Sequence, residues 1–409
     1  MQKVLFIGVN WPELTTAAGT RMMQLLQLFL KRNDQVTFAS TASESDFSID
    51  LNALQISKAP IELNSASFDV FVSDLRPDIV IFDRFIIEEQ FGWRVVAHAP
   101  NALRVLDTED IHSLRNIRQE LFKKQIPFSS KLWLQTDMAK REIASIYRCD
   151  ISLIISTFEM ELLQKRAKVD SALLLHVPFM VKALSAEQAS SYPDFSARKD
   201  FICIGNGKHA PNVDAVLWLK TKIWPQIKKQ LPEANLHIYG SYLAQQVVQM
   251  HKPQEGFYVN GFTDNLEDTF VHARLNLAPL RFGAGIKGKL LDSMRFGTPS
   301  ITTPIGVEGM ANGLPWNGAI AIDEVDFVTK AIALYTNEVK WIEAQKNGFK
   351  ILQTNYDAVR LEHQFITALK KIQNNLIWHR QENIVGNLLL HQTMQSTKYM
   401  AKWIEAKNA

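Results

Sequence analysis

The segment Ala278 to Met310 reads APLRFGAGIKGKLLDSMRFGTPSITTPIGVEGM, and it decides the fold. The apolar residues that lead into this segment predict a strand over Leu275 to Pro279, which a glycine-rich loop follows. A helix over Lys287 to Phe296 and a second strand over Ser300 to Thr303 come next. This order of strand, loop, helix and strand is typical of an α/β domain with a parallel sheet.

Glycine is concentrated in the same segment. Of the 18 glycines in the chain, eight lie between residues 283 and 318: Gly283, Gly285, Gly288, Gly297, Gly306, Gly309, Gly313 and Gly318. A glycine loop before a helix lets backbone N–H groups and the positive end of the helix dipole approach an anion. Arg281, Lys287 and Lys289 add positive charge, so the segment predicts a diphosphate site. Asp292, three residues after Lys289, is placed to accept hydrogen bonds from ribose hydroxyls.

The rest of the chain repeats the α/β alternation. In the first half, apolar runs predict strands over Val4 to Val9, Asp34 to Ser40, Ile79 to Phe82, Ala102 to Leu106 and Ile151 to Ile155, with helical patterns between them. A small and polar stretch from Ala183 to Lys199 marks a linker. We therefore expect an N-terminal domain over residues 1–183, a C-terminal domain over 184–372 and a helical tail over 373–409. Two such domains place a ligand in the cleft between the carboxyl ends of their strands.

Composition excludes several classes of protein. A net charge of +3 is too small and dispersed to indicate a nucleic-acid partner. Cys149 and Cys203 are the two cysteines and lie outside any CxxC pattern, which argues against a disulfide scaffold or a structural zinc site. The sequence has neither an apolar run of about 20 residues nor a signal-peptide layout. The expected location is therefore the cytoplasm.

The glycine segment resembles the nucleotide-sugar site of a known enzyme family. RFGAGIKGKLLDSM followed by GTPSITTPIGVEGM is similar to the donor site of retaining, metal-independent glycosyltransferases of the GT-B fold, called group 1 or family 4 (GT4). Gly205 and Asn206, with His209, Asn212 and Asp214, resemble the family motif after the first strand of the C-terminal domain. The resemblance implies two Rossmann-like α/β/α domains that face a cleft.

Shorter matches extend the resemblance into the first half. Gly19 to Arg21 resembles the acceptor-side loop, and Leu106 to Arg115 (LDTEDIHSLR) resembles the segment with the catalytic-region histidine. In the family this histidine precedes an aspartate, whereas here Glu109 and Asp110 occupy those positions and the imidazole moves to His112. It stays open which of Asp107, Glu109, Asp110 and His112 contacts the sugar.

The resemblance implies transfer of a sugar from a nucleoside diphosphate to a hydroxyl group, with retention of the anomeric configuration. The implied acceptor is a glycan, a lipid-linked molecule or a protein, and the implied setting is cell-surface polysaccharide or glycan assembly. The enzyme would need no metal and no cofactor besides the donor. The implied catalytic residues are Arg281, Lys287 and His112; those on the nucleotide sugar are Gly205, Asn206, Gly283, Gly285, Lys289, Asp292, Glu308 and Gly309; those on the acceptor side are Gly19, Arg21, Asp107, Glu109 and Asp110.

Other interpretations remain open at this point. Many family members carry a glutamate where this chain has Ala284, so a catalytically silent nucleotide- or glycan-binding scaffold is one alternative. A nucleotide-sugar epimerase of the same fold is another. A nicotinamide dehydrogenase is disfavoured, because no GxGxxG follows the first strand. Lys289 and Asp292 have the spacing of a helical ion pair. The basic residues between Arg115 and Arg148 leave open peripheral association with the inner face of the membrane, but a solvated helix face explains them as well.

Overall fold

The computed structural model describes residues 1–408, except for the side chains of residues 186, 392–395 and 408. The chain forms two compact units. The first unit comprises Met1–Ile117, Phe128–Phe179 and the chain from Arg360 onward, and the second comprises Arg118–Pro127 and Met180–Val359. Each unit is an α/β structure with a parallel sheet, which confirms the predicted fold class.

The sheet of the first unit has seven parallel strands in the order β3-β2-β1-β4-β5-β6-β7. Its central strands are buried on both faces, which explains why they appear in the sequence as continuous apolar runs rather than as alternating patterns. The strands are β1 (Lys3–Gly8), β2 (Gln35–Ser40), β3 (Ser57–Pro60), β4 (Ile79–Asp83), β5 (Leu103–Asp107), β6 (Ile151–Ile154) and β7 (Leu174–His176).

Helices alternate with these strands. They are α1 (Ala17–Lys31), α2 (Ser67–Leu75), α3 (Arg84–His98), α4 (His112–Lys123), α5 (Ser130–Gln135), α6 (Asp137–Arg148) and α7 (Thr157–Lys165). Four of them begin at a residue whose hydroxyl accepts a backbone N–H of the first turn, namely Thr16, Ser129, Thr136 and Ser156. The residues of α4 from Arg118 onward are grouped with the second unit.

The second unit has a six-stranded parallel sheet in the order β10-β9-β8-β11-β12-β13. Its elements are α8 (Ala186–Ser191), β8 (Lys199–Ile204), α9 (Ala210–Trp218), α10 (Trp224–Gln230), β9 (Leu236–Tyr239), α11 (Gln245–Val248), β10 (Phe257–Gly261), α12 (Leu266–Val271), β11 (Ala273–Ala278), α13 (Gly288–Arg295), β12 (Ser300–Thr302), α14 (Pro304–Val307), β13 (Gly318–Ile320), α15 (Glu324–Thr336) and α16 (Glu338–Asn355). A π-helical turn over Leu219–Ile223 joins α9 to α10.

The chain then returns to the first unit through three helices: α17 (Ala358–Gln373), α18 (Leu376–Glu382) and α19 (Ile384–Asn408). Phe365 of α17 packs edge-on against Phe29 of α1. Arg380 of α18 donates to Asp150, with both N–O distances 2.8 Å, and also to the carbonyl oxygen of Ala102. The predicted helical tail is thus present and is packed on the first unit.

Both sheets reverse their strand order at one point, between β1 and β4 in the first unit and between β8 and β11 in the second. In doubly wound α/β sheets, ligands bind outside the carboxyl ends of the strands at such a switch point. In the second unit Gly205 follows β8 and the predicted glycine loop follows β11. The loops that carry the predicted site residues of the second unit therefore lie at the switch point of its sheet.

The structure differs from the sequence-based expectations in short elements. β3, β7 and β13 were not predicted, because they have only three or four residues and β3 and β13 contain no buried residue. The expected linker from 183 to 199 contains α8, which begins with a capping box in which Ser185 and Gln188 bond each other's backbone. Among the described residues, no helix combines the length and the apolar character that crossing a membrane requires.

Candidate functional site

The predicted glycine loop connects β11 to α13. Gly283 and Gly285 have φ angles of 147° and 65°, in the region that side chains other than glycine rarely adopt. Lys287 is the N-cap residue of α13, and its side chain makes no capping hydrogen bond to the first turn. The N-terminus of a helix presents backbone N–H groups and the positive end of the dipole, which is the usual arrangement for binding an anion.

The two lysines of the loop donate to neutral oxygens. Nζ of the buried Lys287 lies 2.6 Å from the carbonyl oxygen of Gly285. Nζ of Lys289 lies 2.7 Å from Oδ1 of Asn212. Burial lowers the pKa of Lys289. Among the described ion pairs none involves Lys289, so its charge is not cancelled by a carboxylate, and the pairing with Asp292 that the sequence left open is not formed.

The loop after β8 lies against Lys289. A Cβ atom on Gly205 would be 2.8 Å from Nζ of Lys289 and 2.6 Å from Cγ of Asn212. The Asn212 amide also donates to the carbonyl oxygen of Asn206, at 3.0 Å. His209 occupies the N-cap position of α9, so Asn212 is not its cap and instead joins the two loops. The predicted donor-side residues Gly205, Asn206 and Lys289 are thus brought together.

Arg281 is held differently from the lysines. Its guanidinium donates to both carboxylate oxygens of Asp214, at 2.8 and 2.5 Å. It also lies over the rings of Phe122 and Trp218, at 4.7 and 5.0 Å from their centroids. Its charge is compensated and its position is fixed, whereas the charge of Lys289 is available to a ligand.

A second salt bridge joins the two glycine loops of the unit. Arg118 of α4 donates to both oxygens of the Glu308 carboxylate, at 2.7 and 2.8 Å, and to the carbonyl oxygen of Gly283 at 2.8 Å. Gly309 follows with a φ of 70°. Sequence reasoning missed Arg118, because it lies 165 residues before Gly283 in a helix that looks like an ordinary charged surface helix. The predicted ligand contact of Glu308 is, in this structure, occupied by Arg118.

Asp292 lies on α13 and is half-buried. Burial raises the pKa of its carboxyl to about 7, and the positive charge of Arg295 offsets this only in part. A carboxyl that titrates near neutral pH is the kind of group that marks a binding or catalytic site.

The first unit carries a different cluster at the ends of β4 and β5. Asp83 and Asp107 end these strands and are paired in register. Nε of the buried Arg21 lies 2.9 and 3.0 Å from the two carboxylate oxygens of Asp107, and its Nη1 lies 2.7 Å from the carbonyl oxygen of Val177. Two predicted acceptor-side residues therefore form a buried ion pair with each other.

Glu109 and Arg84 extend this cluster with a strained backbone. They have φ angles of 59° and 72°, which residues other than glycine adopt at a cost, often at functional sites. Arg84 lies 3.2 Å from both Glu109 and Asp83. Burial raises the pKa of Glu109 to about 8; Arg84 opposes the shift, whereas Asp83 and Asp107 add to it.

His112 begins α4 beside Asp110. Its Nε2 lies 3.1 Å from Oδ1 of Asp110, whose other oxygen accepts from Arg115 at 2.8 Å. The buried Glu142 accepts from the backbone N–H groups of His112 and Ser113, at 2.9 and 3.0 Å. Glu142 was not predicted, since it lies in the polar sequence of α6, but it fixes the helix start that presents His112.

Gly19 has a packing role. A Cβ atom there would lie 1.9 Å from the carbonyl oxygen of Glu13, so a larger residue would collide with the backbone of the preceding loop. Its N–H donates to Oγ1 of Thr16, at 2.9 Å. Glycine is therefore required for the tight entry into α1.

The described residues contain no group of three or more His, Cys, Asp or Glu side chains arranged to hold a metal ion.

One segment of the second unit matches a known protein family. Residues 198–337 match the family of glycosyl transferases group 1. An uncharacterized 44.6 kDa protein in the cps region of Klebsiella pneumoniae is 25% identical over 295 residues, which are 68% of this chain and 72% of that protein. The family match lies within the second unit and covers about a third of the chain.

Solved glycosyltransferases share the fold. A mutant of TarM from S. aureus, in complex with Fondaparinux, alpha-GlcNAc-glycerol and UDP, has a TM-score of 0.68 at 10% identity and covers 90% of this chain and 99% of its own. HepE from Anabaena, in complex with UDP and glucose, has a TM-score of 0.65 at 11% identity and covers 90% and 100%. WaaG, a glycosyltransferase involved in lipopolysaccharide biosynthesis, has a TM-score of 0.60 at 12% identity and covers 88% and 98%. The fold is GT-B, as the sequence resemblance predicts.

Proposed function

We propose that this protein is a glycosyltransferase that moves a sugar from a nucleoside diphosphate to a hydroxyl acceptor, with retention of the anomeric configuration and without a metal ion. The observation that carries the proposal is the loop between β11 and α13, where Lys289 donates to an amide oxygen at the start of a helix and belongs to no ion pair of the described structure. Such a loop leaves net positive charge for a diphosphate. UDP is the first nucleotide to test, because it is present in the TarM and HepE complexes.

In the proposed reaction the bond from the sugar C1 to the diphosphate oxygen breaks, and a bond from C1 to the acceptor oxygen forms on the same face. The departing diphosphate takes the acceptor proton. Negative charge grows on the diphosphate as it leaves, so donors that are already oriented toward it stabilise the transition state more than the ground state. Lys287, Lys289 and the N–H groups at the start of α13 fill this role, and the supply of positive charge by the chain itself supports metal-independent transfer.

The acceptor side is proposed for the cluster of the first unit. Asp107, Glu109, Asp110 and His112 present oxygen and nitrogen atoms that suit the hydroxyl groups of a sugar better than an anion. The cps-region relative supports a role in the assembly of a cell-surface polysaccharide.

A thermal-shift panel of nucleoside diphosphates and nucleotide sugars tests the donor assignment. We expect UDP to raise the melting temperature of the protein. Turnover of the nucleotide sugar should depend on an added acceptor and persist in excess EDTA. Turnover of donor without acceptor would indicate an epimerase, and binding without any turnover a silent scaffold. Loss of turnover on chelation would overturn the metal-free mechanism, and NMR analysis of the anomeric configuration of the product tests retention.

A further inference from the structure

The last helix of the first unit, α19, has two faces of opposite character. Its inner face packs on the unit: Ala401 is buried against Trp93, and Glu405 forms an ion pair with Arg94 of α3. A Cβ atom on Gly386 would lie 2.2 Å from the carbonyl oxygen of Tyr147, so the helix lies close against the end of α6. These contacts fix which side of α19 faces away from the unit.

The outer face is apolar and exposed. Spacings of four, eleven and four residues separate Ile384, Leu388, Tyr399 and Trp403, and these spacings return to the same side of an α-helix. Each of the four side chains is about 60% exposed: Ile384 62%, Leu388 62%, Tyr399 63% and Trp403 59%. Trp378 of the preceding helix α18 is exposed to the same degree. An exposed stripe of this length, with two aromatic residues on α19, marks a surface that binds something.

The charged side chains of α19 are mostly positive. From residue 384 onward the side chains include three lysines, Lys398, Lys402 and Lys407, and one acid, Glu405, which pairs inward with Arg94. None of the three lysines belongs to an ion pair of the described structure, and Nζ of Lys407 lies 5.2 Å from the ring centroid of Trp403. Exposed aromatic residues flanked by lysines without outward carboxylates complement an anionic lipid surface.

The basic residues of the segment from Arg115 to Arg148, which the sequence suggested as a membrane contact, are used differently. Arg141 pairs with Glu89, Arg148 with the buried Glu88, and Lys140 with Asp137. The charges of these three residues are compensated within the chain, whereas those of Lys398, Lys402 and Lys407 on α19 belong to no ion pair of the described structure.

We propose that the outer face of α19 binds the surface of an anionic lipid bilayer, with Leu388, Tyr399 and Trp403 in the headgroup region and the lysines on lipid phosphates. A second copy of the chain fits this face less well, because a symmetric contact would bring the lysines of the two copies together. The inference is independent of the donor site and goes beyond the proposed transfer reaction.

The test is flotation of the full chain with phosphatidylcholine vesicles that contain or lack phosphatidylglycerol. We expect binding to the phosphatidylglycerol vesicles that weakens with added salt. The double variant Tyr399→Ser/Trp403→Ser should bind at least about tenfold more weakly, because it removes the two aromatic anchors. A triple variant of Lys398, Lys402 and Lys407 to Gln should lose the preference for the anionic vesicles.

The matched control is Ile322→Ser/Val339→Ser, which removes two apolar side chains of the second unit that are even more exposed, at 78% and 76%. It should bind vesicles like the unaltered protein, and all variants should keep its melting temperature within a few degrees. Absence of vesicle binding, or unchanged binding of the aromatic double variant, would overturn the proposal. So would a dimer, seen by sedimentation, that dissociates in the aromatic variant while no variant binds vesicles.

Discussion

The two units end their parallel strands with clusters of opposite electrostatic design. In the second unit Lys289 donates to an amide oxygen and belongs to no ion pair of the described structure, so its positive charge is not compensated. In the first unit Arg21 and Arg84 are matched by carboxylates at the ends of β4 and β5. The same topology therefore offers one surface suited to an anion and another suited to neutral hydroxyl groups. The fold sets where a ligand binds, and the partners of the basic residues set which kind.

Removing the uncompensated charge should have the largest effect. We expect Lys289→Ala to lower kcat/KM by about 100- to 1000-fold and to abolish most of the thermal shift with UDP, because it removes a donor oriented toward the diphosphate. Lys229→Ala, an exposed lysine on α10, is the matched control and should change neither value. If Lys289→Ala behaves like this control, the contrast between the two clusters fails.

Arg281→Lys tests the compensated arginine of the second unit. Lysine keeps the charge but loses the paired hydrogen bonds to Asp214 and the planar contact with Trp218. We expect kcat/KM to fall by about tenfold, a smaller loss than for Lys289→Ala, when initial rates are compared with saturating acceptor. A loss as large as that of Lys289→Ala would show that Arg281 leaves Asp214 to bind the diphosphate.

Glu109→Gln tests the cluster of the first unit through pH. An acid whose pKa is raised by folding holds its proton more tightly in the folded state, so its contribution to stability is lost as pH rises from about 4.3 through its folded value of about 8. Glutamine does not titrate. Relative to the unaltered protein, the melting temperature of the variant should therefore rise by a few degrees between pH 5 and pH 9, measured by calorimetry. A constant difference across this range would contradict the raised pKa.

Asp292→Asn is the equivalent change in the second unit and has the smallest expected effect. The pKa of about 7 places the loss of stability between about pH 3.9 and pH 7. The melting temperature of Asp292→Asn, relative to the unaltered protein, should thus stop rising near pH 8. That of Glu109→Gln should still rise above pH 8. Calorimetry of both variants in the same buffers compares the pH ranges over which their relative melting temperatures rise. Identical ranges would show that the two carboxyl groups do not differ in pKa as stated.

The sequence predicted the glycine loop and its flanking strand and helix well, because their information is local. The strand, the glycine loop and the start of α13 follow one another within a single segment, so residue order alone places Gly283, Lys287 and Lys289 together. Central strands such as β4 were also predicted, because burial on both faces leaves an unbroken apolar run.

What the sequence could not show are the partners that come from distant parts of the chain. Asp214 lies 67 residues from Arg281, and Arg118 lies 190 residues from Glu308. Arg118 belongs to a helix whose charged residues look solvated in sequence, and the motif that contains Asp214 does not indicate that its carboxylate pairs with Arg281. Whether an arginine is available or already paired depends on these contacts, and pairwise distance in space is not encoded in spacing along the chain.

The return of α17, α18 and α19 to the first unit has a consequence for synthesis. Arg380 lies 230 residues after Asp150, to which it donates, and the whole sheet of the second unit lies between them in the sequence. On the ribosome the sheet of the first unit therefore emerges before the second unit but stays incomplete until α18 has been made, with the buried Asp150 lacking one of its two arginines. The second unit, by contrast, can form its own sheet before α17, α18 and α19 are made. We expect folding intermediates in which the later-made half is ordered first.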